Sequence, residues 1–531
     1  MIPHEGPDAV ELEVFRHLFT ALAEEMGAAL KRASFSPNIK ERRDYSCALF
    51  NPDCQAVSLG DHMPVHLGAM PMSVEAALDE LGTLEPGDVV CLNDPFRGGT
   101  HLPDITLISG VFTAEGRLLG YVASRAHHSD VGGSTPGSMP LAREIFEEGL
   151  RIPPVFLRRR GRRDEGLWRL ILANVRTPEE RAGDLDAQIA ALHTGTTRLL
   201  EIAARRGVDE TLRAMDALIV YADRLVEAGL EQIPDGVYES EDWIEDDGFG
   251  SGPIPIRAAL TVEGRTLSID FAGTSPQVPG GVNAVAAITS SATRYVVRCV
   301  IEAILGEPLP AGGGSMRAVR TDLPEGSLVN ARPPASVAAG NVETSQRITD
   351  VLLRAFGQAL PDLLPALSQG TMNNTTVGGT DPRNGDSFAY YETVGGGMGA
   401  GPSGPGLSGV HVHMSNSLNT PIEALEHAYP FRVTAYSIRR GSGGAGLHRG
   451  GDGLRRDIQL LGPARVALLC ERRTRGPSGL RGGESGAPGR NVLIRDGEEK
   501  EIPGKASFSV DAGDIISIRS PGGGGWGSPA S

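Results

Sequence analysis

The sequence predicts an α+β fold of several domains, with mixed sheets, a helical hairpin and a β-rich C-terminal region. Long amphipathic segments predict helices, short apolar runs between turn residues predict sheets, and the tail contains short strands separated by glycine. A chain of 531 residues is long enough for about two to four domains. The predicted domains are a metal-site α/β domain at 1–175, a helical hairpin at 176–235, an α+β domain at 236–365 and a glycine-rich β domain at 366–531.

Apolar residues recur three or four positions apart in the long helical segments. This spacing predicts an amphipathic helix over residues 8–34. It also predicts two helices over 178–230 with a break near Gly207, and an antiparallel hairpin is the simplest arrangement of the two. The hairpin could pack on its own domain or on a partner protein. Further helices are expected near 284–305 and 341–361.

Short apolar runs between turn residues predict strands in three parts of the chain. The expected strands lie at 88–95, 105–112, 118–123, 260–262, 267–271, 466–469, 491–494 and 515–518. The histidine-containing segments of the first domain lie at the ends of such strands. We therefore expect these segments to be loops that a sheet holds in place, which is where functional residues are common.

The composition excludes several classes of function. The formal net charge of -16 argues against nucleic acid as a partner, because binding nucleic acid needs a basic face. Five cysteines without a C-x-x-C motif predict a reducing compartment and no disulfide framework. Residues 1–6 lack the basic start of a signal peptide, and no apolar run approaches the ~20 residues of a membrane helix. We therefore expect a cytoplasmic protein without a membrane partner.

The chain lacks a recognisable nucleotide-binding motif. Gly504-Lys505-Ala506 has neither the upstream glycine nor the Ser or Thr of a P-loop. The segment 441–446 spells G-x-G-x-x-G, but the residues after it cannot open the helix that a dinucleotide site requires. If the reaction uses ATP, another chain is expected to bind it.

Two short segments of the first domain carry the residues best suited to chemistry. They are Gly98-Gly99-Thr100-His101-Leu102-Pro103-Asp104 and Ala126-His127-His128-Ser129-Asp130-Val131-Gly132-Gly133. Together they supply three histidines and two aspartates, and a divalent ion such as Zn²⁺ or Mn²⁺ accepts imidazole and carboxylate ligands. Because an open metal site can activate water or polarise a carbonyl, these segments indicate an enzyme component.

The spacing within these segments favours a metal site. His101 and Asp104 are three apart in a loop that Pro103 stiffens, so both side chains can converge on one ion. His127 or His128 would supply a third ligand, and one of the two is expected to point inward because adjacent strand residues face opposite ways. Roles as surface-loop or capping residues are the alternative.

Several other polar residues are candidates for the site. Asp44 is either a further ligand or, as its arginine neighbours favour, a salt-bridge partner. His66 is a candidate for substrate positioning or packing, and Asn93 is a candidate for orienting a ligand. Alternation places His411 and His413 on one face of a strand, where they would line a substrate pocket or a subunit contact, or simply pack.

Longer motifs place these candidates in an ordered pattern. Besides the two histidine segments, they are Arg42-Arg43-Asp44-Tyr45-Ser46, His66-Leu67-Gly68-Ala69-Met70, Asn93-Asp94-Pro95, Glu148-Gly149-Leu150-Arg151-Ile152-Pro153-Pro154, Gly280-Gly281-Val282-Asn283 and Trp526-Gly527. Over nearly its full length the chain resembles the hydantoinase B family, also called the N-methylhydantoinase B or 5-oxoprolinase C-terminal-half family.

The resemblance implies the metal-bearing beta subunit of an ATP-dependent cyclic amide hydrolase of the hydantoinase or 5-oxoprolinase type. In this family a hydantoinase A partner, an actin-like ATPase, binds ATP and phosphorylates the carbonyl oxygen of a small cyclic amide. Hydantoinase B then acts on the activated group at a divalent metal, expected here to be Zn, Mn or Fe. The resemblance also accounts for the missing P-loop and implies a hetero-oligomer.

The resemblance also implies roles for individual residues. The metal positions of the family fall on Asp44, His101, Asp104 and His127. The resemblance therefore favours Asp44 as a metal ligand over a role as a salt-bridge partner. It also favours His127 over His128 as the second histidine ligand. Independently of the resemblance, Asp130 or Glu148 is a candidate proton shuttle, and His128 is the remaining catalytic candidate. Substrate contacts are expected from His66, Asn93, His411 and His413.

Two other functions stay open at this point. Relatives also carboxylate ketones, as acetone and acetophenone carboxylases do, and incorporation of labelled bicarbonate into a ketone would indicate that branch. A scaffold subunit without its own chemistry is the other alternative, and it would keep full activity after His101→Ala. The compact length favours hydrolysis. The glycine-rich segment 395–410 is either a mobile lid or a subunit contact.

Overall fold

Helices and strands are mixed along the chain, and the strands form four sheets within the part of the chain that the structure describes. The computed structural model describes residues 8–60, 62–310, 312, 314 and 316–529. The predicted α+β class with mixed sheets is confirmed. The expectation about residues 1–6 lies outside the described residues.

The helices and strands have the following bounds. The helices are α1 (Ala9–Ala33), α2 (Pro37–Lys40), α3 (Ala69–Leu81), α4 (Glu165–Ala173), α5 (Pro178–Arg206), α6 (Val208–Leu230), α7 (Ala286–Leu305), α8 (Ser345–Ala359) and α9 (Ile422–Ala428). The strands are β1 (Tyr45–Phe50), β2 (Ala56–Leu59), β3 (Val89–Leu92), β4 (Asp104–Phe112), β5 (Leu118–His127), β6 (Val155–Arg159), β7 (Arg162–Arg163), β8 (Gly236–Ile244), β9 (Ile254–Glu263), β10 (Thr266–Asp270), β11 (Val319–Asp322), β12 (Asn374–Thr380), β13 (Ser387–Glu392), β14 (Phe431–Arg439), β15 (Gly453–Leu460), β16 (Ala464–Leu469), β17 (Arg490–Arg495), β18 (Glu498–Ile502), β19 (Lys505–Val510) and β20 (Ile515–Arg519).

The first sheet positions the two histidine segments. Its strand order is β2-β1-β5-β4-β3-β6-β7, and all neighbouring strands are antiparallel. One face packs on α1 and α5, and the other face packs on α3. Because both faces are covered, β1 and β4 are buried along nearly their whole length and lack a solvent-facing polar side.

The predicted helices are present, and their packing is internal to the chain. α1 begins after Asp8, whose side chain accepts a hydrogen bond from the Glu11 amide at 2.8 Å. α5 and α6 separate at Gly207, which has a φ of 95°. α5 packs mainly on α1, β4 and β5, while α6 contacts α7 as well as α1 and α5. The domain boundaries stay a prediction, because one hydrophobic core includes residues from Phe15 to Leu469.

Three further sheets contain the strands from β8 to β20. The second sheet has the order β11-β10-β9-β8 and packs on α8. The third sheet, β13-β12-β16-β19, and the fourth, β14-β15-β20-β17-β18, share one hydrophobic core and form the predicted β-rich C-terminal region. Across the described residues, every helix is too short or too polar to span a membrane.

The glycine-rich segment 395–410 packs against the C-terminal tail of the chain. The Ala400 amide donates a hydrogen bond to Gly524 O at 2.9 Å. A Cβ atom at Gly399 would lie 1.9 Å from Ala366 O. The two backbone segments are therefore so close that only glycine, which lacks a Cβ, fits at this position. These contacts hold the first half of the segment against the body of the chain.

Replacing Gly399 with alanine is expected to destabilise the fold. The new Cβ would overlap a backbone oxygen, and overpacking of this kind costs about 1–3 kcal/mol. Gly404→Ala in the same segment is the matched control, because no described atom lies within 4 Å of a Cβ there. Urea unfolding measures both free energies. Equal free energies of unfolding for the two variants would contradict the close approach of Gly399 to Ala366 O.

Candidate metal centre

Three neighbouring strand ends of the first sheet bring predicted site residues together. β4 begins at Asp104 and β5 ends at His127, and these two residues are paired across the antiparallel strands. β1 begins just after Asp44, and the His127 amide donates a hydrogen bond to Asp44 O at 3.0 Å. The three residues therefore lie side by side at one end of the sheet.

A tight turn adds His101 to this end of the sheet. The Asp104 amide donates a hydrogen bond to His101 O at 3.0 Å. His101 Nε2 lies 3.4 Å from Asp104 Oδ2, and the ring centroids of His101 and His127 are 5.0 Å apart. Each of these three residues offers a potential ligand atom, and within the described residues all three atoms lie within 4.8 Å of one another.

The chemistry of this group fits a divalent metal ion. His101 Nδ1, Asp104 Oδ1 and His127 Nε2 are buried, and none of the three atoms has a hydrogen-bond partner among the described residues. Buried polar atoms normally have partners, so a shared ion would satisfy this arrangement. Two imidazoles and a carboxylate suit Zn, Mn or Fe. A small cavity adjoins the group, and we call it the metal cavity; its wall includes Asp104, His127 and Asn341. Its volume is about 10 Å³, close to what one water molecule needs.

The protonation states of the group also suit metal binding. Burial opposes the charge on Asp104, but the charges and hydrogen bonds of His101 and His66 outweigh it and hold the pKa of Asp104 well below its usual value. Burial, reinforced by the charge of His101, holds the pKa of His127 well below its usual value, and burial lowers the pKa of His66. An ionised Asp104 beside a neutral His127 is the state in which these two groups bind a metal.

Asn341 orients His101 from another part of the chain. It lies in a π-helical turn, Gly340–Thr344, which leads into α8. Its Nδ2 lies 3.0 Å from His101 Nε2, and Asn341 also lines the metal cavity. The two residues are 240 positions apart. Asn341 was not predicted from the sequence because no local spacing connects it to the histidine segments.

Two further residues, also not predicted from the sequence, hold His127 in place. Asn38 Nδ2 lies 3.2 Å from His127 Nδ1. The ring of Tyr391 stacks on His127, with centroids 4.3 Å apart and an interplanar angle of 6°. Metal-binding histidines are commonly oriented by contacts of this kind. These contacts leave His127 Nε2 as the ring nitrogen that can reach an ion.

Replacing Asn341 with alanine is expected to weaken metal binding and activity by about 10- to 100-fold, the usual effect of removing a group that orients a ligand. The loss should be largely reversed by a higher metal concentration, because the ligands themselves remain. Asn384→Ala, in an exposed turn, is the control. Titration with metal measures the effect, and equal affinities for the two variants would contradict an orienting role for Asn341.

Asp44 and His66, both expected at the site, line the metal cavity. His66 Nδ1 lies 2.8 Å from Ser46 Oγ, and its Nε2 lies 3.4 Å from Asp104 Oδ2. Asp44 lies outside the close group of three, and its Oδ2 is 3.7 Å from Arg42 Nη2. Burial raises the pKa of Asp44 to about 6, so this carboxyl can exchange a proton near neutral pH. Its role as a fourth ligand stays a prediction.

Asn93 and His128 are outside the wall of the metal cavity. Asn93 Nδ2 donates a hydrogen bond to Leu102 O at 2.7 Å, and its Oδ1 accepts one from the Ile152 amide at 2.6 Å. Asn93 thus ties down the loop that carries His101. His128 Nε2 lies 2.9 Å from Gln188 Oε1 on α5. Adjacent histidines therefore face different surroundings, as alternation along a strand requires.

Asp130 and Glu148 also lie outside the wall of the metal cavity. Asp130 Oδ2 is 2.8 Å from Arg176 Nη1. Glu148 Oε1 accepts hydrogen bonds from the amides of Val337 at 2.7 Å and Ala338 at 3.0 Å, which fixes the loop before Asn341. Burial raises the pKa of Glu148 to about 7. The proton-shuttle roles of Asp130 and Glu148 stay predictions, and so does a catalytic role for His128.

A larger cavity, the side chamber, adjoins the metal cavity. Its volume is about 380 Å³, and Ser415 lies in the walls of both cavities. His411 and His413 line the side chamber. The predicted strand at these histidines is wrong: the chain forms an isolated bridge at Val410 and then turns, with a φ of 55° at His413. Their contact with substrate stays a prediction.

Comparison with known proteins identifies the family. The model of the hydantoinase B/oxoprolinase family matches residues 8–529. The chain belongs to this family. This hydantoinase B/oxoprolinase chain is 40% identical to 5-oxoprolinase 1 of Arabidopsis thaliana, with 98% of this chain and 42% of that protein covered. It is 28% identical to the putative B component of a D-/L-hydantoinase from Pseudomonas sp. (strain NS671), with 98% and 90% covered. It thus spans less than half of the plant protein but nearly all of the Pseudomonas protein.

Solved structures agree with this assignment of the hydantoinase B/oxoprolinase chain. The ATP-dependent caprolactamase from Pseudomonas jessenii matches with a TM-score of 0.90 and 29% identity, covering 98% of this chain and 91% of that chain. A nucleotide-free acetone carboxylase matches with a TM-score of 0.88 and 19% identity, covering 98% and 75%. At that lower identity the likeness shows the fold alone. Hydantoinase/oxoprolinase-type chains therefore share this fold with ATP-dependent enzymes.

Proposed function

We propose that this chain is the metal-bearing subunit of an ATP-dependent cyclic amide hydrolase. The observation that carries the proposal is the buried group of His101, Asp104 and His127, whose potential ligand atoms lie within 4.8 Å of one another, and each of the three residues has a buried polar atom without a hydrogen-bond partner among the described residues. Family membership and the likeness to a caprolactamase support the reaction class. The substrate would be a ring amide whose carbonyl oxygen has been phosphorylated.

Phosphorylation solves the chemical difficulty of the substrate. Resonance gives the amide C–N bond partial double-bond character and makes it hard to break. Transfer of a phosphoryl group to the carbonyl oxygen removes that resonance, so water can add to the carbon. The ring nitrogen then leaves as an amine, and a second water hydrolyses the resulting acyl phosphate to a carboxylate and phosphate. A divalent ion at this site would polarise an oxygen during the attack.

The residues of this chain would hold and orient the reacting groups. His101, Asp104 and His127 would bind the ion, with Asp44 proposed as the fourth ligand. The contact between His66 and Asp104 Oδ2 would keep the carboxylate in place. The small metal cavity would limit the access of bulk water to a bound ion.

An ATPase partner completes the proposal. This chain carries no recognisable P-loop, and its Pseudomonas relative is named as one of the subunits of a hydantoinase. The chain also spans only 42% of the Arabidopsis 5-oxoprolinase, which leaves room in that longer protein for an ATP-binding part. We therefore propose a hetero-oligomer with a hydantoinase A-like ATPase.

Reconstitution with such an ATPase tests the proposed function. The complex is expected to open 5-oxoprolinamide, hydantoin or ε-caprolactam only when ATP is hydrolysed, with formation of ADP and phosphate. Product analysis by mass spectrometry and an ADP assay measure both reactions. Incorporation of labelled bicarbonate into acetone without any ring opening would instead indicate a ketone carboxylase.

A further inference from the structure

The side chamber is large enough to hold a substrate ring, whereas the metal cavity is not. The two volumes are about 380 Å³ and about 10 Å³. The two spaces are neighbours, since Ser415 lies in both walls. A ring amide that reacts at the metal centre must therefore place its remaining atoms outside the metal cavity. Among the described residues, two neighbouring spaces are large enough: the side chamber, and a groove of about 390 Å³ that shares Met63 with the metal cavity.

The wall of the side chamber carries no formal charge. Among the described residues that line it, none is Asp, Glu, Lys or Arg. Much of the wall is apolar, including Val300, Leu353 and Leu364. Arg298 lines an adjoining groove rather than the chamber, and its Nε is 2.8 Å from Glu302 Oε1, so an acidic side chain already balances that charge.

The two histidines of the chamber add no charge to its wall. Burial lowers the pKa of His411 to about 3 and that of His413 to about 4, so both rings are neutral. His411 Nδ1 lies 2.9 Å from Ser415 Oγ, and His413 Nδ1 lies 3.4 Å from Tyr295 Oη. Both Nε2 atoms are buried and have no hydrogen-bond partner among the described residues. A neutral imidazole nitrogen can donate to a carbonyl or accept from an N–H group.

We infer that the side chamber binds the part of the substrate that is not attacked, and that it selects uncharged ring amides over ring amides that carry a carboxylate, such as 5-oxoproline. This inference rests on the proposed function. A carboxylate that lies against the buried part of the wall, at Val300, Leu353 and Leu364, would lose its water without meeting a cation, which is costly. An uncharged ring would bury its apolar atoms against the aliphatic wall and would have no charge to desolvate.

A matched ligand pair tests this selection. 5-Oxoprolinamide and 5-oxoproline have the same ring and differ mainly in the charge of the substituent. Isothermal titration of the full chain is expected to show binding of the amide at least about tenfold tighter than binding of the acid. The reconstituted complex should show the same order in kcat/KM, with the difference mainly in KM.

A variant that adds a cation to the chamber sharpens the test. Ala303 lines the chamber and is exposed, so Ala303→Arg can be made without burying the new charge. It should strengthen binding of 5-oxoproline and shrink the tenfold difference. Ala204→Arg, at an exposed position of α5 outside the chamber, is the control and should leave the ratio unchanged.

The outcomes separate this inference from the proposed function. Wild-type binding of 5-oxoproline as tight as that of the amide, or no binding of either ligand, would overturn the inference. If Ala303→Arg leaves the ratio of the two ligand affinities unchanged, binding of these ligands in the side chamber is also contradicted. If the chain binds the amide selectively but the complex opens no ring, the inference stands and the proposed reaction fails.

Discussion

Replacing His101 with alanine is expected to lower ATP-dependent ring opening by about a thousandfold or more. The reason is that a catalytic metal contributes several kcal/mol to transition-state stabilisation, and each 1.36 kcal/mol is about tenfold in rate. His101 is fully buried and shares the close group with Asp104 and His127. The effect should fall on kcat, and the ATPase activity of the partner protein should persist.

The control for this experiment is His193→Ala. His193 is an exposed residue of α5, so its loss should leave turnover unchanged. Circular dichroism and unfolding curves of both variants show whether a loss of activity comes from the loss of the metal site or from the loss of the fold. Full activity of His101→Ala in the reconstituted complex would support a scaffold role for this chain instead.

Replacing Arg347 with methionine is expected to lower the free energy of unfolding by about 3–5 kcal/mol, the usual result of removing one partner from a buried ion pair. Arg347 on α8 is fully buried. Its guanidinium nitrogens lie 3.1 Å from Asp242 Oδ2, 3.1 Å from Asp350 Oδ2 and 3.4 Å from Glu471 Oε2. Without Arg347, these three buried carboxylates lose a shared cation that links α8 to β8 and to the segment after β16.

The loss at Arg347 should depend on pH. Burial already raises the pKa of Asp350 to about 7, although Arg347 opposes this rise. Removing Arg347 raises that pKa further, so the folded variant binds more protons than the unfolded chain as the pH falls. The deficit in stability should therefore be smaller at pH 5.5 than at pH 8.

A matched variant on the same helix isolates the effect of burial. Arg354 is also on α8, but 43% of its side chain is exposed. Arg354→Met should cost less than about 1 kcal/mol, as expected for an exposed ion pair. Chemical unfolding at the two pH values measures both variants. Equal losses at Arg347 and Arg354 would contradict the role assigned to the buried network.

Local patterns in the sequence anticipated the elements that carry the site. The apolar period of α1, the break at Gly207 and the short runs of β4 and β5 are properties of neighbouring residues, so they can be seen without a structure. The motif that contains His101 and Asp104 also lies within one loop. Its position at a strand end follows from the same local pattern.

The residues that sequence reasoning missed depend on tertiary structure. Asn341 and Tyr391 reach the site from a π-helical turn and from β13, and neither has a fixed spacing from the histidine segments. The turn at His411 and His413 was mistaken for a strand because alternation also occurs by chance in short segments. Long-range contacts of this kind require the assembled sheets, since only the fold brings them together.

Elemental analysis of the purified chain tests the central claim most directly. Wild-type protein and Asp104→Ala would be prepared side by side and analysed by inductively coupled plasma mass spectrometry, with unfolding curves to show that both are folded. We expect about one divalent ion per wild-type chain, as for a single His and Asp site, and its loss from the variant. A folded Asp104→Ala chain that retains the full metal content would contradict the assignment of the site.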